Sequence, residues 1–469
     1  HPNPSLAGGA HKPMNHTAQR QPAQTQAHEL RRELSLLDST MINVGSMIGS
    51  GIFLVPATIA LYLHHSSSII LVWIFGGVVS LFGALSVAEL GAMYPSAGGQ
   101  YVYLREAFGP LWGFLYGWTA FTVILPAAIA AVAVAFATYL GYFFPFTPTD
   151  IKIIAIASII LLTAINCYGV KAGAMVQNGF TFLKMGSLGA LIIAGFIVKG
   201  ALPAERVALA QPVDFYSLIN GVGLALVAVL WSYDGWIEIT YVAGEVKNPQ
   251  RTIPRSLILS TIIVILIYVL INYTYLLVIP VDAMSKSTMV AADAAGALLG
   301  SRYAVLAVIG IILATIGANN GFILTGARIY YAMAAEKMFF KPMANINPRY
   351  GTPVYSLVGQ GIWACILTLT GTFDQLFTYV MFASWIFYAM TAGAVIILRK
   401  KYPNTPRHYK TPGYPYTSIV FIIFSVCLVL NTLIGDPRDS LIGAGIIALG
   451  LPAYFYWKLK ITASSSAVE

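Results

Sequence analysis

The chain has 469 residues, of which 58% are hydrophobic and only 10% are charged, and its mean hydropathy is +0.74. Soluble domains carry about 25% charged residues, so this composition cannot supply the polar surface of a soluble protein of this length. A net charge of +9 in a soluble protein would suggest nucleic acid as a partner, but in a membrane protein it follows from Lys and Arg in cytoplasmic loops. The sequence therefore predicts an all-α polytopic membrane protein in a lipid bilayer, without a nucleic acid partner.

Residues 1–30 are polar and contain no apolar run, which predicts a disordered cytoplasmic tail. Twelve apolar segments follow, each long enough to span about 30 Å of hydrocarbon. They run approximately over 39–63, 67–93, 108–143, 151–168, 175–198, 217–243, 254–280, 303–333, 353–371, 375–399, 416–434 and 440–460. The third segment is longer than a bilayer requires and is expected to be tilted, or bent near Pro126. Residues 282–300 are expected to form an outer connection with some helical character.

The loop charges predict the orientation of the chain. Nineteen Lys and Arg residues lie in tails and loops on the side of the N-terminus, against six on the other side. This bias predicts an inner-membrane protein with both termini in the cytoplasm. The three cysteines are far apart and the seven histidines lie in the tail or loops, so we expect no metal, no cofactor and no membrane enzyme.

Two segments contain residues that interrupt a helix. The first reads Gly-Ser-Met-Ile-Gly-Ser-Gly-Ile-Phe over 45–53, and the sixth reads Trp-Ser-Tyr-Asp-Gly-Trp over 231–236. Each Gly in a helix interior costs about 1 kcal/mol, and broken helices at membrane depth are tolerated where they are buried or line a cavity. The breaks begin two successive blocks of five segments, which is typical of transporters built from inverted repeats. The alternative is a pair of packing faces made of small residues.

Several stretches resemble the L-type amino acid transporter branch of the amino acid–polyamine–organocation superfamily, and in particular its prokaryotic serine/threonine exchangers. The stretches are 45–53, 88–91, 95–105, 244–249, 253–255, 320–321, 325–328 and 409–415. The resemblance covers about 31–460. It implies a LeuT-like 5+5 inverted repeat, with broken helices one and six and two extra C-terminal helices. It also implies alternating-access transport of amino acids, often as exchange.

The resemblance also implies a division of the chain. The expected parts are a tail (1–30), a first repeat (31–199), a second repeat (200–400), helices eleven and twelve (401–460) and a C-terminal tail (461–469). Animal relatives hold a heavy-chain glycoprotein through a cysteine in the loop between helices three and four. The corresponding loop here, 143–151, has no cysteine, so we expect no disulfide-linked heavy chain and a functional monomer.

An amino acid substrate carries a carboxylate and an ammonium group, and broken helices can bind both with backbone groups. The N–H groups at the start of the second half-helix suit the carboxylate. Carbonyls and a carboxylate at the two breaks suit the ammonium. The predicted carboxylate-binding residues are Gly49, Ser50, Gly51 and Ile52, and the predicted ammonium-binding residues are Ile48, Leu230, Trp231 and Asp234.

Four further residues are candidates for gating or selectivity. Trp231 is expected to close over the substrate, as the aligned aromatic residue does in the family, and Trp236 to line the side-chain pocket. For each, packing in the membrane core is the alternative. Asn319 and Asn320 are polar at membrane depth, and either bonds helix one or has a structural role. Asp234 either helps to hold the α-ammonium, pairs with a cationic side chain, or is a structural acid bonded to backbone N–H groups.

Lys184 lies nine residues into the fifth predicted segment, which is roughly 14 Å from its inner end. A lysine stem of about 6 Å cannot reach water from this depth, so a partner inside the bundle is expected. The resemblance puts a lysine here, reaching toward helices one and eight, where sodium-coupled relatives hold sodium. The ammonium would then replace that cation, either as a fixed tether for helix one or as a group that exchanges a proton.

The sequence thus predicts a sodium-independent exchanger of neutral L-amino acids. The alternative within this class is a proton-coupled or cationic amino acid permease, and a rival outside it is a nontransporting amino acid sensor. An ion channel is disfavoured because the two breaks are asymmetric within one chain.

Overall fold

The computed structural model describes residues 30–198, 215–370 and 373–466. The regular structure of these residues is helical, and their one β-type pairing is a single bridge between Leu34 and Val246. The predicted N-terminal tail, apart from residue 30, and the predicted boundary between the repeats at 199 and 200 lie outside the described residues.

The described residues form α-helices that we number along the chain. They are α1 (Leu36–Met47), α2 (Gly51–Tyr62), α3 (Ser66–Met93), α4 (Gln100–Phe108), α5 (Pro110–Thr119), α6 (Leu125–Leu140), α7 (Pro148–Cys167), α8 (Val170–Val198), α9 (Phe215–Ser232), α10 (Pro249–Val278), α11 (Val281–Met284), α12 (Val290–Leu299), α13 (Ala304–Ala335), α14 (Val354–Thr370), α15 (Phe373–Lys401), α16 (Tyr416–Gly435) and α17 (Pro437–Ser466). A π-helical turn, Ala120–Ile124, joins α5 to α6.

The predicted multi-pass membrane architecture is confirmed. Ten helical stretches of the described chain are long and apolar enough to cross a bilayer. The sixth and ninth predicted segments correspond to α9 and α14, which are also apolar but shorter. The third predicted segment is interrupted by the π-helical turn just before Pro126, and the connection at 282–300 contains most of α11 and all of α12.

Several predicted segment ends are wrong, and one of them is the start of the seventh segment, which begins at Pro249 rather than 254. The sixth segment does not continue as a helix to 243, because α9 ends at Ser232 and only turns and short 3₁₀ stretches follow. Gly235, at φ +102°, turns the chain there. The fifth segment starts at Val170 rather than 175, and the last helix continues to Ser466, into the predicted tail. Hydropathy marks the apolar part of a helix, whereas backbone hydrogen bonds continue into its polar end.

Local sequence signals explain where several helices begin. Ser35 and Thr147 each form a reciprocal capping box at the start of α1 and α7, with Asp38 and Asp150 as the acidic partners. α5, α7 and α10 each have a proline in the first turn, where its missing N–H costs nothing.

Helices in equivalent positions of the two five-segment blocks pack against each other. The pairs are α2 with α9, α3 with α10, α6 with α13, and α7 with α14. In addition, α8 packs on α13 while α15 packs on α6. These reciprocal contacts are those that two repeats related by a two-fold axis would make. We call the end of the bundle that contains the start of α1 the N-terminal side, and the other end the opposite side.

A buried ionic cluster ties three parts of the N-terminal side together. Glu89, near the end of α3, is 2% exposed and accepts two hydrogen bonds from Arg399 of α15, at 2.8 and 2.6 Å. Arg407 lies 3.1 Å from the same carboxylate, and the N–H and hydroxyl of Thr411 donate to it at 2.8 and 2.9 Å. The cluster therefore joins α3, α15 and the loop before α16.

We expect Glu89→Gln to destabilise the folded protein by about 3 kcal/mol, because it leaves two guanidinium groups without their shared carboxylate. The control is Asp282→Asn, whose ion pair with Lys286 is exposed on both sides and so contributes little. Thermal unfolding of the purified protein in detergent measures both. Equal melting temperatures for the two variants would contradict a stabilising role for the cluster.

Candidate functional site

The first break separates α1 from α2. α1 ends at Met47 and α2 begins at Gly51, with residues 48–50 outside both helices. Among the described residues, the amide groups of Ser50, Gly51 and Ile52 donate to no protein acceptor. All three residues are buried. The start of α2 therefore offers unpaired N–H donors and the positive end of a helix dipole to the protein interior.

The second break follows α9 and offers acceptors. The N–H of Asp234 bonds the carbonyl of Trp231 at 3.0 Å, and no described residue donates to the carbonyl of Leu230. The Asp234 carboxylate accepts a hydrogen bond of 2.6 Å from the Tyr388 hydroxyl. No described Lys or Arg forms an ion pair with it. An anionic group and an unpaired carbonyl thus lie at this break.

The two breaks are in direct contact through glycines. A Cβ on Gly51 would lie 2.6 Å from the Ser232 hydroxyl oxygen and 3.0 Å from the Ser232 Cα. A Cβ on Gly235 would lie 2.9 Å from the carbonyl carbon of Ser46 and 3.0 Å from the N of Met47. Glycine at both positions is what allows the backbones of the two breaks to approach this closely.

A small cavity lies between the breaks. Its volume is about 20 Å³, which is room for roughly one water molecule. The lining residues are Ser46, Met47, Gly49, Ser50, Gly51, Val132, Trp231, Ser232, Asp234, Ala318 and Phe322. An amino acid does not fit in this volume, so the structure represents a closed form of the site.

Five of the residues predicted from the sequence line this cavity: Gly49, Ser50, Gly51, Trp231 and Asp234. Ile52 does not line it, although its N–H belongs to the unpaired group at the start of α2.

The other predicted residues lie elsewhere. The carbonyl of Ile48 is bonded by Lys184 and not directed at the cavity. Leu230 is buried, with its side chain near Gly76 of α3. Trp236 packs against Tyr388 and Phe421, at ring-centroid distances of 5.3 and 5.9 Å, so it does not line the cavity.

The asparagine pair on α13 is also outside the cavity. Asn320 bonds the side chains of Asn166 and Gln177, at 2.8 and 2.9 Å, so it links α13 to α7 and α8. Asn319 is 1% exposed, and its side-chain oxygen has no partner among the described residues. These contacts of Asn320 favour a structural role, which was one of the two alternatives, over a hydrogen bond to helix one.

Sequence reasoning missed the apolar wall of the cavity. Val132 of α6 and Ala318 and Phe322 of α13 complete it. They stand within long apolar runs, where no signal separates a cavity-lining position from a packed one. Ser46 and Ser232 also line it, and both were recognisable as polar residues inside the breaks.

Lys184 is too deep in its helix to reach water, and the partners of its ammonium group are backbone carbonyls. Its ammonium nitrogen lies 2.5 Å from the carbonyl oxygen of Gly45, 2.7 Å from that of Ile48 and 3.5 Å from that of Ala314. The side chain is fully buried. Because α8 begins at Val170, Lys184 is deeper in its helix than the sequence indicated. Its charge lies on the negative end of α1, where the helix dipole favours a cation.

Two acidic residues after the second break contact α13. Glu238 is buried and bonds the hydroxyl of Thr325. Glu245 forms a two-point ion pair with Arg328, at 2.8 and 3.0 Å, and both side chains are completely buried. These contacts close the bundle between the cavity and the N-terminal side.

A larger cavity lies on the opposite side. Its volume is about 400 Å³, and it lies between α2, α9, α15 and α16. Ser50, Gly51 and Trp231 line both this cavity and the small one. Trp231 therefore stands between the site and this larger space, while the path to the N-terminal side is closed by buried contacts.

Comparison with known proteins identifies the family. The family model for amino acid permeases matches residues 34–453. The chain belongs to the amino acid permease family. It is 33% identical to the serine/threonine exchanger SteT of Bacillus subtilis (strain 168) over 439 residues, which cover 93% of the chain and 99% of that protein.

Two mammalian relatives are about as similar. The chain is 31% identical to the mouse b(0,+)-type amino acid transporter 1, over 91% of the chain and 88% of that protein. It is 33% identical to the human large neutral amino acids transporter small subunit 2, over 94% of the chain and 83% of that protein. The resemblance to the L-type branch is thereby confirmed, and the relatives are transporters rather than enzymes.

We expect Gly235→Ala to reduce amino acid uptake by more than tenfold. A side chain at φ +102° is strained, and its Cβ would push the second break away from Ser46 and Met47. The control is Gly186→Ala, since a Cβ there meets no atom within 4 Å. Uptake into liposomes containing each purified variant measures the effect. If Gly235→Ala transports as well as Gly186→Ala, close contact of the breaks is not required.

Proposed function

We propose that this permease is a sodium-independent exchanger of neutral L-amino acids that works by alternating access. The observation that carries the proposal is the pairing of the two breaks around one cavity. Ser50 and Gly51 line the cavity from one break and have unpaired amides, and Asp234 lines it from the other break with its carboxylate. An amino acid zwitterion needs N–H donors for its carboxylate and an anionic acceptor for its ammonium.

The proposed substrate position follows from these groups. The carboxylate binds at residues 49–52, where N–H donors and the helix dipole favour an anion. The ammonium binds near Leu230, Trp231 and Asp234. Val132 and Phe322 supply apolar surface for the side chain. This surface favours a neutral side chain over a charged one.

Trp231 is the proposed gate on the opposite side. It lines both cavities, so a change in its side-chain rotamer would join them. Closure on the other side depends on the Arg328–Glu245 pair. The structure corresponds in this proposal to a closed form that opens next toward the opposite side.

Sodium independence is supported by Lys184. Its ammonium group occupies the space among the carbonyls of Gly45, Ile48 and Ala314, where a cation would otherwise be needed to offset their charge. No diffusible ion is then required to hold α1 against α8 and α13. We therefore propose Lys184 as a fixed tether, with a proton-exchanging lysine as the alternative.

The proposal also includes the location of the protein and its oligomeric state. The excess of Lys and Arg on the N-terminal side supports an inner-membrane location with both termini in the cytoplasm. The loop between the third and fourth segments has no cysteine, which supports a monomer without a disulfide-linked heavy chain.

The test is uptake of a panel of radiolabelled L-amino acids into liposomes that contain the purified protein. We expect uptake only into vesicles preloaded with unlabelled amino acid, and the same rate when choline replaces sodium. Uptake into empty vesicles driven by an inward proton gradient would favour the proton-coupled alternative. Preference for Lys or Arg would favour a cationic permease. Binding of an amino acid without any uptake would favour a sensor.

We expect Asp234→Asn to weaken apparent affinity for neutral amino acids by roughly 10- to 100-fold, since a hydrogen bond to a charged group contributes about 1.5–3 kcal/mol. The carboxylate would no longer offset the substrate ammonium. Initial exchange rates over a range of substrate concentrations give the affinity.

The matched control for this variant is Asp282→Asn, whose side chain is exposed. A loss confined to Lys and Arg would assign Asp234 to a cationic side chain instead. Unchanged affinity for all substrates would leave it a structural acid held by Tyr388.

A further inference from the structure

Tyr268 connects the two breaks. It lies on α10, a continuous helix, and is completely buried. Its hydroxyl oxygen is 2.7 Å from the carbonyl oxygen of Met47 and 2.9 Å from that of Ser232. Met47 is the last residue of α1 and Ser232 is the last residue of α9. One side chain therefore contacts the C-terminal end of both interrupted helices.

The carbonyl oxygens at these two helix ends need a hydrogen-bond donor. Each helix end carries a partial negative charge of about −0.5, and here two such ends converge. A phenol has one hydroxyl proton, so it donates to one carbonyl at a time or is shared between both. Without that proton, the Ser232 carbonyl oxygen would have no donor among the described residues, and the Met47 carbonyl oxygen would keep only the N–H of Gly49, at 2.9 Å. An unpaired carbonyl is costly in the protein interior.

The position of the hydroxyl is fixed by neighbouring rings. Trp73 of α3 packs edge-on against the Tyr268 ring at 5.3 Å, and Tyr233 packs against it at 5.0 Å. The Tyr233 hydroxyl in turn donates to the carbonyl of Trp73 at 3.1 Å. Since Tyr233 directly follows Ser232, the ring cluster belongs partly to the second break itself.

We propose that Tyr268 is a positioning residue for transport, which holds the C-terminal ends of the two interrupted helices together. It does not line the cavity, so it acts through the backbone at Met47 and Ser232 and not on substrate. The inference rests on the proposed function, because it assigns the amino acid's carboxylate and ammonium to the two breaks. Loss of the hydroxyl lets the breaks move independently, and a bound amino acid then contacts both less well.

The chain offers a matched control on the same helix. Tyr275 is also completely buried on α10, but its hydroxyl has no hydrogen-bond partner among the described residues. Tyr268→Phe and Tyr275→Phe thus remove the same atom from the same helix. Only the first removes a link between the breaks.

The experiment measures exchange of one neutral amino acid by the wild type and both variants in proteoliposomes, and binding of the same amino acid in detergent. We expect Tyr268→Phe to raise both KM and the dissociation constant about tenfold, the size expected when a buried hydrogen bond is lost. We expect Tyr275→Phe to leave both within twofold of wild type. A general loss of folded protein would lower the maximal rate without this shift in KM.

Equal KM values for the two variants would overturn the inference while leaving the proposed function intact. Failure of the wild type to exchange any amino acid would instead count against the proposed function. If Tyr268→Phe does not fold, Tyr233→Phe is the second variant, because it removes the hydroxyl that fixes the ring next to Tyr268. A raised KM would then support the inference, and an unchanged KM would overturn it.

Discussion

Backbone polar groups that leave a helix inside a bilayer must find partners in the protein, and this constraint organises the whole bundle. Several of the freed groups at the two breaks have such partners. Lys184 and Tyr268 bond the carbonyls at the ends of α1 and α9, and Asn43 accepts the N–H of Ile239 at 2.8 Å. The groups without a partner among the described residues include the N–H groups at 50–52 and the carbonyl of Leu230. These are groups that a zwitterion can bind.

Different kinds of interaction close the two ends of the bundle. On the N-terminal side, buried ion pairs and hydrogen bonds connect α13 to the chain after α9, and the Glu89 cluster holds α3, α15 and the following loop. On the opposite side, a cavity of about 400 Å³ is bounded by mainly apolar residues and by Trp231. Ion pairs and hydrogen bonds require a particular geometry of their partners, whereas apolar contacts are not directional.

The sequence was sufficient for the fold class, the order of the spanning segments and the position of both breaks. Segment length and hydropathy predict the fold class and the order of the segments, and the glycines of 45–53 and 231–236 predict the positions of the breaks. It also identified Lys184, because a lysine that deep must have an internal partner. It could not identify Phe322 or Tyr268, since which face of an apolar segment meets the breaks depends on packing between distant segments. Trp236 was expected to line the side-chain pocket, but it follows the turn at Gly235 and packs against Tyr388 of α15 and Phe421 of α16.

The stretch after α9 has a mechanical consequence. Instead of a second half-helix, the chain forms tight turns over 233–248, and three successive acids in it contact different neighbours: Asp234 meets Tyr388 of α15, while Glu238 and Glu245 meet α13. A half-helix would transmit a displacement as a rigid rod. A chain of turns has no such rigid axis, and here three separate side-chain contacts hold it. One short run of backbone therefore reaches both the cavity between the breaks, through Asp234, and the buried ion pair nearer the N-terminal side, through Glu245.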